Sequence, residues 1–302
     1  MDDLENIQDH LQNIRSVEPI INSLRTISAG SWRLALRRLR VAREYTEHLS
    51  QILAWVLPEV SEKSLAQAHV QRQPGAFQRT AMLVIASERG LCGAFNDVAL
   101  TGAERLLAQQ QIQSERVELI TLGSRAEAYF RAQGREPMLA EPLPVTRVAS
   151  YDLVREIGET LVALIENERV DAIYVVYSPY NSLTTLPPVA ERWLPVDASL
   201  LPQTAGSWPP PILEPSAERI FPVVMTEWAF TRLYHLVIES AASEHSARFR
   251  AMEAASTNLG NMIEELTLSY HSARQHAITM QMLDLVAGSG ILRQPRTPSR
   301  PT

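Results

Sequence analysis

Both ends of the chain carry apolar residues at the three- and four-residue steps of an α-helix. One stripe runs from Leu4 to Leu24, and the other runs from Leu259 to Met280. Such a stripe needs a second apolar stripe to cover it, and each terminal segment is the nearest candidate partner for the other. The pattern predicts two long terminal helices that pair with each other. A bundle of shorter, broken helices is the alternative.

Helix breakers are nearly absent from both terminal segments. Residues 1–57 contain only Pro19 and Gly30 as breakers, and residues 223–287 contain only Gly260. A helix over the second segment would be on the order of 100 Å long at ~1.5 Å per residue. Proline inside a helix removes one hydrogen bond and clashes with the preceding turn. We therefore expect a kink at Pro19 or a frayed segment before it.

The middle of the chain alternates between short apolar runs and helical segments. The apolar runs predict buried strands over residues 81–86, 117–122 and 172–177, with a further extended segment over 189–196. Helices are predicted over residues 96–110, 124–131 and 151–166. Buried strands separated by helices are typical of a mostly parallel sheet that is covered on both faces.

These elements predict an α/β fold in which long terminal helices accompany a central Rossmann-like domain. The predicted segments are an N-terminal coiled-coil helix over 1–57, the central α/β domain over 78–200, a C-terminal coiled-coil helix over 216–288 and a disordered tail over 291–302. The proline-rich stretch 197–215 is interpreted as a linker that leads back to the last helix.

Composition narrows the classes of function. The net charge of −6 argues against nucleic acid as a partner, because phosphate binding needs a basic surface. Cys92 is the single cysteine, which excludes an internal disulfide and favours a reducing compartment. Neither a secretory signal nor a run of ~20 apolar residues that would span a bilayer is recognised. We expect a soluble, cytosolic chain.

The loop at residues 87–96 follows the first predicted buried strand, which is where a nucleotide would bind. It contains only Gly90 and Gly93, so it lacks both the dinucleotide fingerprint and the phosphate-loop motif. The histidines show no metal-ligand spacing, and Cys92 is more typical of a small apolar core residue than of a nucleophile. We predict no catalytic, cofactor-binding or metal-binding residue. A Rossmann-like enzyme with helical arms is the hypothesis from another class.

Two groups of charged residues are candidates for partner contacts. Arg33, Arg37 and Arg40 recur at helical spacing without interleaved acids. A helix face that carries only positive charge favours contact with an acidic partner over exposure to solvent. Arg274 and Gln275 stand in a mostly apolar helical segment. There, a pair between the arginine and a glutamate of the same helix is an equal alternative.

Three segments of the last helix and one loop carry a recognisable pattern. The helix segments are 243–248 (SEHSAR), 251–258 (AMEAASTN) and 273–279 (ARQHAIT), and the loop is 89–96 (RGLCGAFN). Together they resemble the gamma subunit of F-type ATP synthases. The order of predicted elements also agrees with that family over about residues 3–290. Several independent motifs in the same order make the chain similar to this family along nearly its whole length.

The resemblance implies that the terminal helices form an antiparallel coiled coil, which serves as the central rotor shaft inside the ring of alpha and beta subunits. The α/β domain would lie beside the epsilon subunit and the c-ring, peripheral to the membrane on the cytoplasmic face of the cell membrane. Catalysis would belong to the neighbouring subunits, so the chain itself would not be an enzyme.

Individual residues carry over from the family by position. Arg274 and Gln275 match residues that contact the beta subunit, and Arg33, Arg37 and Arg40 lie where basic residues of the family face an acidic loop of beta. An apolar tip matches the segment that sits in the sleeve at the top of the ring, and its residues here are Ile278, Met282, Leu285 and Val286.

The N-terminal helix departs from the family's pattern. Residues 20–24 read IINSL where Ile-Thr-Lys-Ala-Met is typical, Ser31 replaces a later lysine, and Pro19 is not expected. Two alternatives to the rotor of a main synthase are therefore kept. One is a subunit of a second, variant ATPase, and the other is a coiled-coil adaptor derived from the rotor.

Overall fold

The computed structural model describes residues 2–71, 77–113, 116–145, 147–181, 184–201, 214 and 216–291. The helices of this part are α1 (Asp2–Val56), α2 (Glu62–Gln67), α3 (Phe95–Gln113), α4 (Ser124–Ala132), α5 (Tyr151–Glu166) and α6 (Ala217–Ile291). The strands are β1 (Val70–Gln71), β2 (Arg79–Ile85), β3 (Arg116–Leu122), β4 (Leu139–Glu141), β5 (Ala172–Tyr177), β6 (Val189–Leu194) and β7 (Val196–Asp197). The predicted tail, apart from Ile291, and most of the predicted linker lie outside the described residues.

The secondary structure of the middle segment follows the apolar pattern. The predicted strands correspond to β2, β3 and β5, and the predicted helices correspond to α3, α4 and α5. The extended segment at 189–196 divides into β6 and β7. The sequence pattern did not predict β1 or β4, because strands of two and three residues are too short to show a period of two.

The sheet has the strand order β4-β3-β2-β5-β6. Strand β2 lies at its centre and pairs in parallel with β3 and β5, so that Leu83 lies between Ile120 and Val175. Nearly all of β2 is buried, as expected for a strand covered on both faces. The prediction of a mostly parallel sheet is confirmed, with β6 antiparallel to β5 at one edge. Strands β1 and β7 form a separate parallel pair.

Contacts divide the chain into two units. One comprises Thr26–Ala251 and contains the sheet, and the other comprises Met1–Arg25 together with Met252–Thr302. Helices α1 and α6 each contribute residues to both units, because each helix is continuous across the division. This continuity shows that the alternative of a bundle of short, broken helices is wrong.

In the unit of residues 26–251, α1 and α6 run antiparallel. The ring of Trp32 lies 5.8 Å from that of Phe249, whereas Trp228 Nε1 donates to Ser50 Oγ at 2.9 Å. Helix α6 is buried along almost its whole circumference over residues 228–248, because α1 and the α/β elements cover it from different sides.

One glycine shows how closely α5 approaches α6. A Cβ atom placed on Gly158 would lie 2.6 Å from a ring carbon of Phe230 and 3.1 Å from a methyl carbon of Leu233. No side chain fits in that space without displacing its neighbours. The absence of a Cβ atom at Gly158 is therefore required for α5 and α6 to pack this closely.

In the unit of residues 1–25 and 252–302, the two terminal helices pair through polar contacts as well as apolar ones. Ser256 Oγ donates to Asn22 Oδ1 at 3.2 Å, and Arg25 Nη1 lies 3.2 Å from Glu253 Oε2. The residue numbers rise on α1 as they fall on α6, so the helices are antiparallel. The antiparallel pairing implied by the resemblance is confirmed.

Pro19 does not interrupt α1. The helix is continuous from Asp2, so the predicted fraying before Pro19 is wrong. Proline leaves the carbonyl group of Arg15 without its helical donor, but Arg15 and Pro19 are both exposed, and water can reach that oxygen. The carbonyl oxygen of Pro19 itself accepts a hydrogen bond from Ser23 Oγ at 2.7 Å.

Candidate functional site

Two residues of the loop between β2 and α3 adopt a left-handed backbone conformation. Leu91 has a φ of 61° and Gly93 a φ of 56°. Glycine adopts this conformation readily, but leucine does so at a cost in free energy. The side chain of Leu91 is nevertheless 64% exposed, so apolar burial does not hold it there. Contacts elsewhere in the loop must fix the conformation.

Hydrogen bonds between Ser87 and Asn96 close the loop. The backbone N–H of Ser87 donates to Asn96 Oδ1 at 3.2 Å, and Asn96 Nδ2 donates to Ser87 Oγ at 2.8 Å. The same amide nitrogen lies 3.1 Å from the sulfur of Cys92, which is buried. Burial raises the pKa of the Cys92 thiol, with the nearby charge of Glu244 adding to the rise. A neutral, buried thiol serves packing rather than nucleophilic chemistry.

Arg248 of α6 holds the tip of this loop. Its Nη2 donates to the carbonyl oxygens of Arg89 at 2.8 Å and Gly90 at 3.3 Å. Its Nη1 donates to Glu244 Oε1 at 2.6 Å, one helical turn earlier. The side chains of Arg248 and Glu244 are only 10% and 12% exposed. We call this set of contacts the loop clamp.

Two neighbouring groups complete the surroundings of the clamp. Arg248 Nη1 also lies 3.3 Å from Nδ1 of His245, and burial lowers the pKa of that imidazole. On the other side of the loop, Glu88 accepts hydrogen bonds from the backbone N–H groups of Ser124 at 3.0 Å and Leu143 at 2.9 Å. Burial opposes ionisation of Glu88, but these bonds and one from the Ser124 hydroxyl outweigh it and lower its pKa.

The polar groups of the loop are used within the protein. The carbonyl oxygens at the tip bind Arg248, and the carboxylate of Glu88 binds the starts of two following segments. Within the described part of the chain, no three His, Cys, Asp or Glu side chains are grouped so that they could hold a metal ion. The arrangement attaches the α/β elements to α6.

The predicted arginine face lies on α1 as expected from its spacing. Arg33, Arg37 and Arg40 are exposed and lie on one face of the helix at steps of four and three residues. Arg38 is different, because its Nη1 donates to the carbonyl oxygens of Val148 at 3.1 Å and Ala149 at 2.7 Å. The structure brings the three predicted residues together.

The remaining predicted residues lie on the last part of α6. Arg274 and Gln275 are adjacent and exposed. The pairs Asn22 with Ser256 and Arg25 with Glu253 fix a register in which the first residues of α1 lie opposite about residue 276. Helix α6 therefore continues past the start of α1. The predicted apolar tip lies on this extension, and its residues Ile278, Met282, Leu285 and Val286 are between 48% and 74% exposed.

Comparison with known proteins identifies the family. The family model described as ATP synthase matches residues 3–292. The ATP synthase gamma chain of Frankia casuarinae is 30% identical over 295 residues, which cover 96% of this chain and 97% of that one. That of Nostoc sp. is 28% identical over 97% of this chain and 100% of its own length. The chain belongs to the ATP synthase gamma-chain family.

Solved structures share the fold at lower sequence identity. A chain of the cryo-EM structure of the Euglena gracilis mitochondrial ATP synthase in rotational state 3 has a TM-score of 0.63 at 14% identity, covering 99% of each chain. A chain from the central stalk and c-ring of the Tetrahymena thermophila enzyme has a TM-score of 0.54 at 16% identity, covering 78% of this chain and 99% of that one. At this identity the likeness establishes the fold alone.

In this member of the gamma-chain family, two of the motifs that carry the resemblance meet in space. The loop motif at 89–96 and the helix motif at 243–248 are joined by Arg248 and by the packing of Phe95 and Cys92 against Ala247. The motif at 251–258 contacts α1 through Ser256 and Glu253, and the motif at 273–279 lies on the largely exposed part of α6. The motifs at 89–96 and 243–248 are therefore used within the protein, whereas Arg274 and Gln275 of the last motif are exposed.

Sequence reasoning missed the loop clamp. No contact between the loop motif and the helix motif was predicted, because residues 158 positions apart give no local sign of proximity. The available signal was an arginine with a glutamate four residues before it in a mostly apolar helical segment, because such a pair needs further partners where the helix is buried.

No helix among the described residues combines the length and the apolar character needed to cross a lipid bilayer.

Proposed function

We propose that this chain is the central rotor shaft of an F-type ATP synthase and has no catalytic site of its own. The observation that carries the proposal is α6, a continuous helix of 75 residues that is core in one unit and a paired, largely exposed helix in the other. The gamma chains of Frankia casuarinae and Nostoc sp. align with this chain over nearly their whole length, which supports a rotor role for it. ATP chemistry would then take place in the alpha and beta subunits.

An asymmetric shaft can drive such chemistry without touching a nucleotide. A shaft that turns inside a ring of alternating alpha and beta subunits presents a different face to each beta subunit in turn. Each face favours one conformation of the subunit that it contacts, and this differential contact shifts the population between open and closed states. Ion-driven rotation is thereby coupled to ATP synthesis, or ATP hydrolysis to reverse rotation.

The exposed arginines of α1 are proposed as one contact with the beta subunit. Arg33, Arg37 and Arg40 form a one-signed face, and no ion pair of theirs is found within the described parts of the chain. A complementary acidic surface would be attracted over a distance comparable to the Debye length, ~8 Å at physiological salt. Such a contact guides approach and register and tolerates sliding, which a bearing surface requires.

Arg274 and Gln275 are proposed as a second contact with the beta subunit, and the apolar tip is proposed as the upper bearing. The tip side chains Ile278, Met282 and Leu285 are 48%, 62% and 74% exposed, so they lack full cover within the described part of this unit. Full burial of such a side chain is worth ~1.5–3 kcal/mol. A sleeve of apolar side chains in the ring would supply that cover without fixing an angle, because apolar contact is not directional.

The other partners and the location follow from the same proposal. The epsilon subunit and the c-ring are proposed to bind the unit that contains the sheet, which would place the chain on the cytoplasmic face of the cell membrane as a peripheral subunit. The predicted division into a helix over 1–57, a domain over 78–200 and a helix over 216–288 is retained as part of this proposal.

Reconstitution with the alpha and beta subunits of the same organism tests the proposal. We expect one copy of the chain per three alpha and three beta subunits by native mass, with ATPase activity that depends on the chain. Arg274→Ala should lower that activity by roughly threefold to tenfold, equivalent to ~1 kcal/mol. Arg15→Ala, which removes another exposed arginine, is the matched control and should leave activity unchanged.

Two results would overturn the rotor assignment. Failure of the folded chain to join the alpha–beta hexamer would favour the coiled-coil adaptor. Turnover of ATP by the purified chain alone, at an enzyme-like rate, would contradict the statement that it lacks a catalytic site.

A further inference from the structure

A groove lies along α1 in the unit of residues 26–251. It has a volume of about 610 Å³ and runs between α1, the start of α5 and α6. Its α1 side is formed at helical spacing by Leu34, Arg37, Arg38, Val41, Ala42 and Tyr45. Its other sides are formed by Tyr151, Glu227, Thr231 and Tyr234. This volume lies within the range of small-molecule pockets, about 300–1,000 Å³.

The apolar wall of the groove is not needed to complete the core. Helix α1 already buries a stripe that includes Ala35, Leu39 and Ala42. Val41 and Tyr45 belong to a neighbouring stripe of the same helix and are 63% and 46% exposed. An apolar surface that the fold leaves open and that lines a concave site is typical of a binding site.

The groove also carries positive charge that the protein does not neutralise. The guanidinium group of Arg38 donates to the neutral carbonyl oxygens of Val148 and Ala149, so its charge is retained. Arg37 is exposed, and neither arginine forms an ion pair within the described part of the chain.

The acidic group on the groove wall is already satisfied. The carboxylate of Glu227 accepts hydrogen bonds from Arg155 Nη1 at 2.8 Å and from the Tyr151 hydroxyl at 3.0 Å. It is therefore engaged by a cation other than the two arginines of the groove. A ligand would meet an apolar wall beside uncompensated guanidinium groups, and this combination complements a molecule with an apolar body and an anionic head.

We propose that this groove binds a single-chain anionic amphiphile of fatty-acid type. The apolar chain would lie along Leu34, Val41 and Tyr45, and the anionic head would lie beside Arg37 and Arg38. Arg37 also belongs to the face proposed to meet the beta subunit, so ligand and subunit would compete for it. Binding to the isolated chain does not depend on the rotor role, and the test therefore uses the full chain alone.

The test measures displacement of the fluorescent anion 8-anilinonaphthalene-1-sulfonate by dodecanoate, which is kept below its micellar concentration. Dodecanol, kept below its solubility limit, is the uncharged ligand of equal chain length. We expect dodecanoate to bind the chain at least about tenfold more tightly than dodecanol, the effect of a charge-assisted hydrogen bond. Arg37→Gln should remove most of that difference while leaving dodecanol binding unchanged.

Two charge-introducing variants locate the site. Val41→Glu places a carboxylate on the groove wall and should weaken dodecanoate binding by about tenfold or more. Leu268→Glu is the matched control, because it makes the same kind of change at an exposed apolar residue outside both the groove and the apolar tip, and it should have no effect. Tyr45→Glu serves as a second groove variant should Val41→Glu fail to fold, as judged by circular dichroism.

Two results would overturn the proposal. If the groove variants leave dodecanoate affinity unchanged, or if Leu268→Glu abolishes it, the ligand binds elsewhere. If dodecanol binds as tightly as dodecanoate, the arginines do not select an anion, and the groove is better described as an apolar contact face for a protein partner. Neither result would bear on assembly with alpha and beta subunits.

Discussion

The loop clamp gives a prediction that compares a buried ion pair with an exposed one of the same spacing. Each arginine has further partners, which are the carbonyl oxygens of Arg89 and Gly90 for Arg248 and the carboxylate of Glu136 for Arg131. Arg248 Nη1 lies 2.6 Å from Glu244 Oε1 in α6, and Arg131 Nη1 lies 2.6 Å from Glu127 Oε1 in α4. Both pairs join residues four apart on one helix. The side chains of the first pair are 10% and 12% exposed, whereas those of the second are 52% and 29% exposed. The two pairs should therefore respond differently to the same substitution.

Arg248→Met keeps much of the side-chain volume but removes the charge. It leaves the Glu244 carboxylate buried without its partner, and it leaves the carbonyl oxygens of Arg89 and Gly90 without their donor. Loss of one member of a buried pair costs about 3–5 kcal/mol. Arg131→Met removes two pairs that are screened by water, with Glu127 and Glu136, which together are worth about 0.3–1 kcal/mol. We expect the cost to the free energy of unfolding to be at least about threefold larger for Arg248→Met.

Urea denaturation followed by tryptophan fluorescence measures this difference. Trp193 and Trp228 are buried in the unit that contains the sheet, so they report on its unfolding. With a slope of about 3 kcal/mol per M, typical of larger domains, Arg248→Met should lower the urea midpoint by about 1–1.7 M. Arg131→Met should shift it by no more than about 0.3 M.

A double substitution separates the ion pair from the loop contacts. Glu244→Gln with Arg248→Met removes the unpaired carboxylate, so it should be less destabilising than the sum of the single changes by about 1–3 kcal/mol. The reasoning would be refuted if Arg248→Met and Arg131→Met cost the same. Strict additivity of the double variant would show that the loop carbonyl groups, and not the buried charge, carry the effect.

Three further variants test packing and pH dependence. Gly158→Ala forces a methyl group against Phe230 and should cost about 1–3 kcal/mol by thermal unfolding, whereas Gly260→Ala meets no atom within 4 Å and should stabilise its helix by up to about 1 kcal/mol. Burial lowers the pKa of His235 to about 4. The unfolded chain therefore binds the proton first as pH falls below about 6.5, and His235→Gln should remove about 3 kcal/mol of acid destabilisation between pH 6.5 and 4 in urea titrations.

The helices and strands that have a clear apolar periodicity could be predicted from the sequence. Residues 172–177 form a continuous apolar run and residues 151–166 a strongly amphipathic stretch, and the structure gives β5 and α5 with those bounds. The orientation of β6 was not predictable, because an apolar pattern has the same period in parallel and antiparallel strands. The outcome at Pro19 depended on solvent exposure of Arg15, which local sequence does not encode.

The candidate site likewise has one part that the sequence predicts and one part that it does not. Arg33, Arg37 and Arg40 share a face because helical geometry alone decides it. The two sets of tertiary contacts at Arg38 and Arg248 could not be predicted, because their acceptors are backbone carbonyl groups distant in sequence. Residue type gives no indication of which carbonyl oxygen a guanidinium group will reach. The arginines that look alike in sequence therefore divide into exposed and anchored groups only in the structure.

Under the proposed rotor function, the loop clamp would help α6 to resist rotation relative to the sheet-containing domain. Helix α6 is buried on nearly all sides over residues 228–248, and from Glu253 onward it is buried on one face at most. Torque exerted on the sheet-containing unit must enter the helix through contacts that resist its rotation about its own axis. Apolar packing resists such rotation through shape alone, whereas Arg248 adds directional bonds to two carbonyl oxygens of a loop. These bonds lie in the last fully buried turn, where any twist of the helix relative to the domain would have to pass.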